Sequence, residues 1–511
     1  MHIDFYFTPA CPHADEAWTL LQNIVSELDI PEARIRRTSY NSFQEAMHHK
    51  IFGSPSIHIN GRDIEGPLGE PSVSCRIYEG GVGIPPRWLI EAALLRELKP
   101  QGVLFLCVAN SARSQLAEGI ARRTAPSDVR IFSAGSQPTS PRPEAMQVLR
   151  AMGIDTSSHV SKHVDSIDPA LVDTVITLCA EEACPLFLGR ARRIHWGLPD
   201  PAAVEGNPTE KLNAFFKTAA ELQKRIEAIW KSDTEYIREN VSDFYTQAVN
   251  TCSSCTSASA CCSNTPNTFS SCCSTDTSFH DPENVSSWGC KNPVEAAALA
   301  AGETVLDVGC GAGHDLIAAS RFTGPSGKLV GLDMTEAMLS AAHKYLQDAG
   351  IENFMFVKGE MEKMPLPDAL ADCIISNCVI NLSPEKNRVF SEMFRVLKPG
   401  GRLVFADICV DELPAWVRNS VKAVSGCIGG AENVDTILEY MHQAGFENPR
   451  VLELTNYPIA QIRDMLHHTF DVSDDNCDDC ASSPLPTAFR DRLASMLSGH
   501  LFSVLFFAHK P

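Results

Sequence analysis

Val103-Leu104-Phe105-Leu106-Cys107-Val108-Ala109-Asn110-Ser111-Ala112-Arg113-Ser114 decides the fold of the middle of the chain. An apolar run of strand length ends on a cysteine, a short polar loop follows, and a helical pattern from Gln115 to Arg123 takes over. A Cys-x5-Arg loop in this setting turns backbone N–H groups around a tetrahedral oxyanion, with positive potential from the helix N-terminus and the Arg113 guanidinium. The same field favours the thiolate of Cys107, a nucleophile towards phosphorus or arsenic. A buried structural cysteine is the plainer alternative, and the strand-loop-helix context weighs against it.

Outward from this loop the pattern stays α/β. The segment starts after Lys99-Pro100, alternates strand-like and helical runs and ends on the amphipathic stretch Leu212 to Trp230, which predicts a parallel sheet. Two further features choose between chemistries. Asp200-Pro201 offers a loop acid able to protonate a leaving oxygen. Cys179 and Cys184 follow the run Val172 to Leu178 and flank Ala180-Glu181-Glu182-Ala183; they suit a thiol relay, or else are two core cysteines at a strand end. On these motifs residues 101–232 resemble the thioredoxin-coupled arsenate reductases built on the low-molecular-weight tyrosine phosphatase fold. A phosphatase of that fold needs no downstream cysteine pair. The resemblance implies that Cys107 is the nucleophile, that Asn110, Arg113 and Ser114 hold the oxyanion loop, and that Asp200 is the acid. It makes Cys179 and then Cys184 the relay, with thioredoxin or glutathione as the external reductant.

A second glycine-rich loop restarts the alternation further on. Val305-Leu306-Asp307-Val308-Gly309-Cys310-Gly311-Ala312-Gly313 ends a strand-like run (Thr304 to Val308) and opens a helical one (His314 to Arg321). A second strand, Leu329 to Asp333, ends on an acid suited to ribose hydroxyls and followed by Met334. With the later turn Leu397-Lys398-Pro399-Gly400-Gly401, this segment resembles Rossmann-like class I methyltransferases. The resemblance implies S-adenosylmethionine as cofactor, held by Asp307, Gly309, Gly311, Gly313, Asp333, Met334 and Asn377.

Cysteine placement narrows the substrate. Cys290 precedes the first helix, Cys378 ends the fourth strand and Cys427 follows the fifth. Residues 240–511 resemble arsenite S-adenosylmethionine methyltransferases, which implies that these three thiols bind trivalent arsenic and that Cys261 and Cys262 supply a further thiol or disulfide. Soft thiolates suit a thiophilic centre whose lone pair attacks a methyl sulfonium in line, with no general base. Cys310, Cys373 and Cys409 read as packing residues.

The N-terminal stretch places Thr8-Pro9-Ala10-Cys11-Pro12-His13 between a strand (His2 to Phe7) and a helix (Ala14 to Leu28), where the helix end favours a Cys11 thiolate. A hairpin over Ser56 to Ile64 turns at Asn60-Gly61, and a helix from Arg87 to Leu98 closes the segment. With Gly53-Ser54-Pro55-Ser56 and Ser74-Cys75-Arg76-Ile77-Tyr78, residues 1–98 resemble a thioredoxin-like family. Position 14 is alanine, so there is no Cys-x-x-Cys pair, and Cys11 works alone or with the distant Cys75. A tethered reductant, a thiol trap for arsenic or mercury, and a docking module are all open to it.

The expected organisation is therefore a multidomain α/β chain: a thioredoxin-like domain (1–98), an arsenate reductase domain (101–232), a linker (233–287, Ser/Cys-rich from 251) and an arsenite methyltransferase domain (288–511). Its 511 residues allow about three domains. A net charge of −20 argues against a nucleic-acid partner, and the longest apolar run, Leu501 to Ala508, is too short for a membrane span. Nineteen cysteines in a long chain without a signal-like N-terminus point to the cytoplasm and to thiol or soft-metal chemistry. Cys477-Asp478-Asp479-Cys480, Cys252-x-x-Cys255 and the pairs at 261/262 and 272/273 are open to As(III) or zinc chelation or to disulfide cycling. The successive oxidation states implied by the two resemblances make arsenate and arsenite the expected substrates of one detoxification enzyme. The rivals are a phosphatase-like thiol reductase fused to a generic methyltransferase, and a non-catalytic metalloid-sequestering protein.

Overall fold

Six short strands, β1 (His2–Phe7), β2 (Arg34–Ser39), β3 (Phe52–Ser54), β4 (Ser56–Ile59), β5 (Arg62–Asp63) and β6 (Ser72–Cys75), build the first segment of the computed structural model. The structure describes residues 1–253, 291–470 and 487–511, apart from 31–32, 68, 80, 181–186, 188 and 419. One sheet has the order β2-β1-β4-β5, with β1 parallel to β2 and antiparallel to β4, while β3 and β6 pair separately in parallel. The β4–β5 hairpin turns at Asn60 (φ 51°) and Gly61 (φ 84°), the two positive angles that a two-residue turn matched to strand twist requires. The Ser54–Pro55 peptide is cis.

The middle sheet has the order β10-β9-β7-β8 and is wholly parallel: β7 (Gly102–Cys107), β8 (Arg130–Gly135), β9 (Thr174–Cys179) and β10 (Arg192–Leu198). Every residue of β7 is buried, as expected of a central parallel strand covered on both faces, and this is why its sequence is continuously apolar rather than alternating. The helix Pro208–Trp230 starts with proline at its first turn and a capping box between Asn207 and Glu210. Its buried face (Phe215, Ala219, Leu222, Ile226) shares one apolar cluster with Leu89, Leu94 and Ile3 of the first segment and with Phe105 and Ile176 of the middle sheet. The first two sequence segments accordingly make one compact unit, Met1–Asp233, and Thr234–Pro511 makes the second.

The second unit is built on a seven-stranded sheet of order β13-β12-β11-β14-β15-β17-β16. Its strands are β11 (Thr304–Val308), β12 (Lys328–Asp333), β13 (Phe354–Lys358), β14 (Ala371–Asn377), β15 (Leu397–Val410), β16 (Glu447–Asn456) and β17 (Leu501–His509). The first five are parallel, and β17 runs antiparallel between β15 and β16. This is a doubly wound, Rossmann-like α/β sheet with its ligand crevice beyond the C-terminal ends of β11 and β14. Residues 233–253, within the segment expected to link domains, are helical (Asp233–Ser253); Arg238 on that helix lies 3.0–3.3 Å from carboxylate oxygens of Glu360, Glu362 and Glu385. Among the described residues no helix is long and apolar enough to cross a membrane.

Candidate active sites

Cys107 ends β7, where the connections of the middle sheet turn to opposite sides and leave a crevice. Asn110 takes a left-handed conformation (φ 45°), and its side chain fixes the loop. Its Nδ2 donates to Ser114 Oγ and Ser133 Oγ, both at 2.8 Å, and its Oδ1 accepts from the Lys162 N–H at 2.7 Å. Cys107 Sγ lies 2.9 Å from Ser114 Oγ, within hydrogen-bond reach of that hydroxyl. A Cβ on Gly135 would stand 2.4 Å from the Val108 carbonyl oxygen; only glycine lets the loop close on β8 this tightly.

Arg113 joins the parts of this site. Its guanidinium is buried; Nη1 donates to the Leu198 carbonyl at 2.8 Å and the Leu178 carbonyl at 3.4 Å, and Nη2 is 3.8 Å from Asp200 Oδ2. One cation therefore ties the oxyanion loop to the ends of β9 and β10 and to the acid. Asp200 is part-exposed, and its Oδ1 accepts from the Ala202 N–H at 3.2 Å. Cys179 ends β9, in register with Leu198, and is buried. Cys184 lies outside the described residues. Beneath the loop Ser133 donates to buried Glu118, which also takes Lys162 at 3.1 Å; no local pattern in the sequence announces this support.

In the second unit the residues at the strand ends are carboxylates. Asp307 on β11, Asp333 on β12 and Asp315 at the start of the helix His314–Thr323 all have their acidities weakened, by burial first. The repulsion of Asp315 and Asp333 adds to the shift at Asp307. Asp333 accepts from the N–H groups of Gly311 (3.0 Å) and Thr335 (2.8 Å), and the Met334 N–H also faces it. Asn377 donates to Asp315 at 3.2 Å, and its buried Oδ1 has no partner. Gly309 (φ 73°) packs where a Cβ would meet Val379 at 2.4 Å, and Gly311 (φ 48°) has open space before it. Gly313 (φ 83°) precedes the helix. One buried and two half-buried carboxylates, an orphaned amide oxygen and an open glycine turn fit S-adenosylmethionine, which carries an ammonium, a sulfonium and ribose hydroxyls. Asp315 was not among the residues singled out from the sequence; its place one residue into the helix was the available signal.

Cys378 and Cys427 meet beside this crevice. Both take left-handed conformations (φ 55° and 64°), and Cys427 Sγ donates to the Cys378 carbonyl at 2.7 Å. Such angles are costly for side-chain-bearing residues and cluster at functional sites. Cys378 is disulfide-bonded, whereas Cys427 is free. Burial pushes the Cys427 thiol up, and the Tyr245 hydroxyl, from the helix Asp233–Ser253, hydrogen-bonds with it and donates to the Ser425 carbonyl at 3.3 Å. Cys290, Cys261, Cys262, Cys477 and Cys480 lie outside the described residues. Among the described residues no group of three His, Cys, Asp or Glu side chains is arranged to hold a metal ion. Cys310, Cys373 and Cys409 are buried; burial pushes the Cys373 thiol up to about 12 and the other two upward as well.

In the first segment Cys11 stands before the helix Ala14–Glu27, half-buried, and Cys75 ends β6, exposed.

Comparison with known proteins divides the chain in the same way. Residues 102–241 match the family model described as low molecular weight phosphotyrosine protein phosphatase, and residues 299–445 match a methyltransferase domain. An arsenate reductase of Bacillus licheniformis is 40% identical over 129 residues, which are 24% of this chain and 91% of that protein. An arsenite methyltransferase of Halobacterium salinarum is 43% identical over 160 residues, which are 31% of this chain and 41% of that protein. The chain thus spans less than half the length of that methyltransferase. The solved structure of an arsenic(III) S-adenosylmethionine methyltransferase from Chlamydomonas reinhardtii is 33% identical, covering 44% of this chain and 68% of that one, with a TM-score of 0.34.

Proposed function

We propose, from the premise that the chain belongs to the arsenate reductase family through its phosphatase-like segment, that it reduces arsenate to arsenite and then methylates the arsenite. The observation that carries the first half is the Arg113 guanidinium, which joins the oxyanion loop of Cys107 to the strand ends of the relay and to Asp200. The Cys107 thiolate attacks arsenic, and Asp200 protonates the departing oxygen. Cys179 attacks the Cys107 sulfur; the sulfur–arsenic bond breaks with its electron pair left on arsenic, so arsenite departs and a Cys107–Cys179 disulfide remains. Cys184 then attacks Cys179, returning Cys107 and leaving a Cys179–Cys184 disulfide. Two thiols have supplied the two electrons.

The second half rests on the carboxylates and cysteines of the other unit. S-adenosylmethionine, when bound, supplies a methyl group on a sulfonium. Asp307, Asp315 and Asp333 receive its positive charge and hydroxyls. Cys378 and Cys427, with Cys290, bind As(III) as substrate and present its lone pair. The disulfide at Cys378 must be reduced for this, which suits a cytoplasmic protein served by thioredoxin or glutathione. Residues 1–98 are a thioredoxin-like domain acting as a tethered reductant of Cys179–Cys184, with an effective concentration on the order of millimolar.

Arsenate supplied with a thiol reductant and no S-adenosylmethionine should yield free arsenite, and Cys179→Ser should stop it. Arsenate turnover spared in Cys179→Ser would instead favour the phosphatase-like reading.

A further inference from the structure

The first segment lacks the second cysteine that a Cys-x-x-Cys motif would place one helical turn after Cys11; position 14 holds a buried alanine. The fold supplies a second thiol from elsewhere. The Cys11 N–H donates to the Thr8 carbonyl at 2.9 Å, closing the turn that carries it. The Thr8 N–H donates to Ser54 Oγ at 2.9 Å. Ser54 stands opposite Cys75 in the β3–β6 pair, and its carbonyl accepts from the Arg76 N–H at 2.8 Å. One buried serine thus holds the Cys11 turn and the Cys75 strand together, and the two thiols hydrogen-bond with each other.

The position of Cys75 is not left to a loose strand end. The next residue, Arg76, is buried and clasps both oxygens of Asp63 at 2.6 and 2.8 Å, with Glu65 at 2.6 Å. Asp63 is held well below the usual carboxylate range by this guanidinium and by His58, against the opposing effect of its burial. Burial and the neighbouring Cys11 both push the Cys75 thiol up. Cys11, in the turn before the helix Ala14–Glu27, is placed as the attacking sulfur, and Cys75 as the sulfur that follows. Both cysteines are free in the structure.

We propose that Cys11 and Cys75 form a dithiol–disulfide couple, a second redox centre that reduces a disulfide presented to this face. Cys11 thiolate attacks one sulfur of the acceptor disulfide, forming a mixed disulfide and releasing the other sulfur as a thiolate. Cys75 loses its proton and attacks Cys11; the mixed disulfide breaks, the second acceptor sulfur leaves as a thiolate, and a Cys11–Cys75 disulfide remains. The acceptor gains two electrons and the couple loses two; a low-molecular-weight thiol or an external dithiol protein restores it. That the acceptor is Cys179–Cys184 rests on the arsenate reductase reading above; the couple itself does not.

The test uses the reduced full-length protein titrated with oxidised glutathione, followed by alkylation, proteolysis and mass mapping. The wild type should yield a linked Cys11–Cys75 peptide pair with little glutathione on Cys11. Cys75→Ser, a change at an exposed side chain, should trap glutathione on Cys11 at least tenfold more, and Cys11→Ser should leave Cys75 largely unmodified. Equal trapping in wild type and Cys75→Ser, with no linked peptide at any glutathione ratio, would overturn the couple. A second arm measures single-turnover arsenate reduction without external reductant. If the linked peptide forms but Cys75→Ser leaves re-reduction of Cys179 unchanged, the couple stands and its assignment as donor to the reductase falls.

Discussion

The Cys107 crevice and the Asp307 crevice occupy equivalent places among the parallel strands of two sheets, yet their side chains suit ligands of opposite charge. Each lies beyond a central strand, at a glycine-assisted turn into a helix. In the first, Arg113, Asn110 and Ser114 present a cation and neutral donors; in the second, Asp307, Asp315 and Asp333 present acids. The helix N-terminus favours an anion in both places. Side chains decide the outcome: the donors of the first site add to that field, while the carboxylates of the second oppose it and make the crevice suitable for a cation. Topology locates a site in such sheets, and a few residues around the turn choose what enters it.

The strongest way to break this contrast is Cys107→Ser. It should lower arsenate reduction by at least about 10³-fold, because the nucleophile is lost, and leave methylation of added arsenite unchanged. Loss of both activities in a folded variant would show that the two crevices are not independent. Arg113→Lys should come next, with kcat/KM for arsenate down by roughly 10²-fold, since a point charge cannot reach the two strand-end carbonyls and the oxyanion together. Equal rates for the variant and the wild type in steady-state assays would remove Arg113 from the site.

The acidic crevice should respond to pH. Burial makes Asp307, Asp315 and Asp333 take up protons at higher pH than ordinary carboxylates. A bound cation favours their charged forms, so binding releases protons and affinity must fall as pH falls. Calorimetry should show the Kd for S-adenosylmethionine rising as the pH is lowered, by up to about tenfold per pH unit for each proton released. A Kd independent of pH would mean that these acids do not face the cofactor. Tyr245→Phe should have the smallest effect, weakening arsenite binding by about threefold through the lost hydrogen bond to Cys427. No change in a binding titration would leave Tyr245 as packing alone.

What was legible in the sequence was local. The Cys107 loop and the Asp307 loop each lie within a dozen residues, and strand, turn and helix signals agree there, so the strand and helix that flank each loop were expected where they are found. Contacts between distant residues carry no such signature. The Cys11 turn and Cys75 are 64 positions apart and meet through Ser54, which is why the sequence left Cys11 open to acting alone. Tyr245 reaches Cys427 from a helix whose polar, Ser- and Thr-containing sequence looked like connecting chain; its ion pairs through Arg238 explain how it is held. Glu118 under the Cys107 loop was hidden for the same reason, since an acid on a helix normally faces water and only the fold surrounds it with Ser133 and Lys162.

Passage of arsenic through both crevices of one chain is measured by supplying arsenate, S-adenosylmethionine and a thiol reductant. Arsenic species are then separated by chromatography with elemental detection. The wild type should convert arsenate to methylated arsenic, and Cys107→Ser should yield none from arsenate but the wild-type amount from arsenite. Methylated arsenic formed from arsenate by Cys107→Ser, or none formed from arsenite by the wild type, would contradict it.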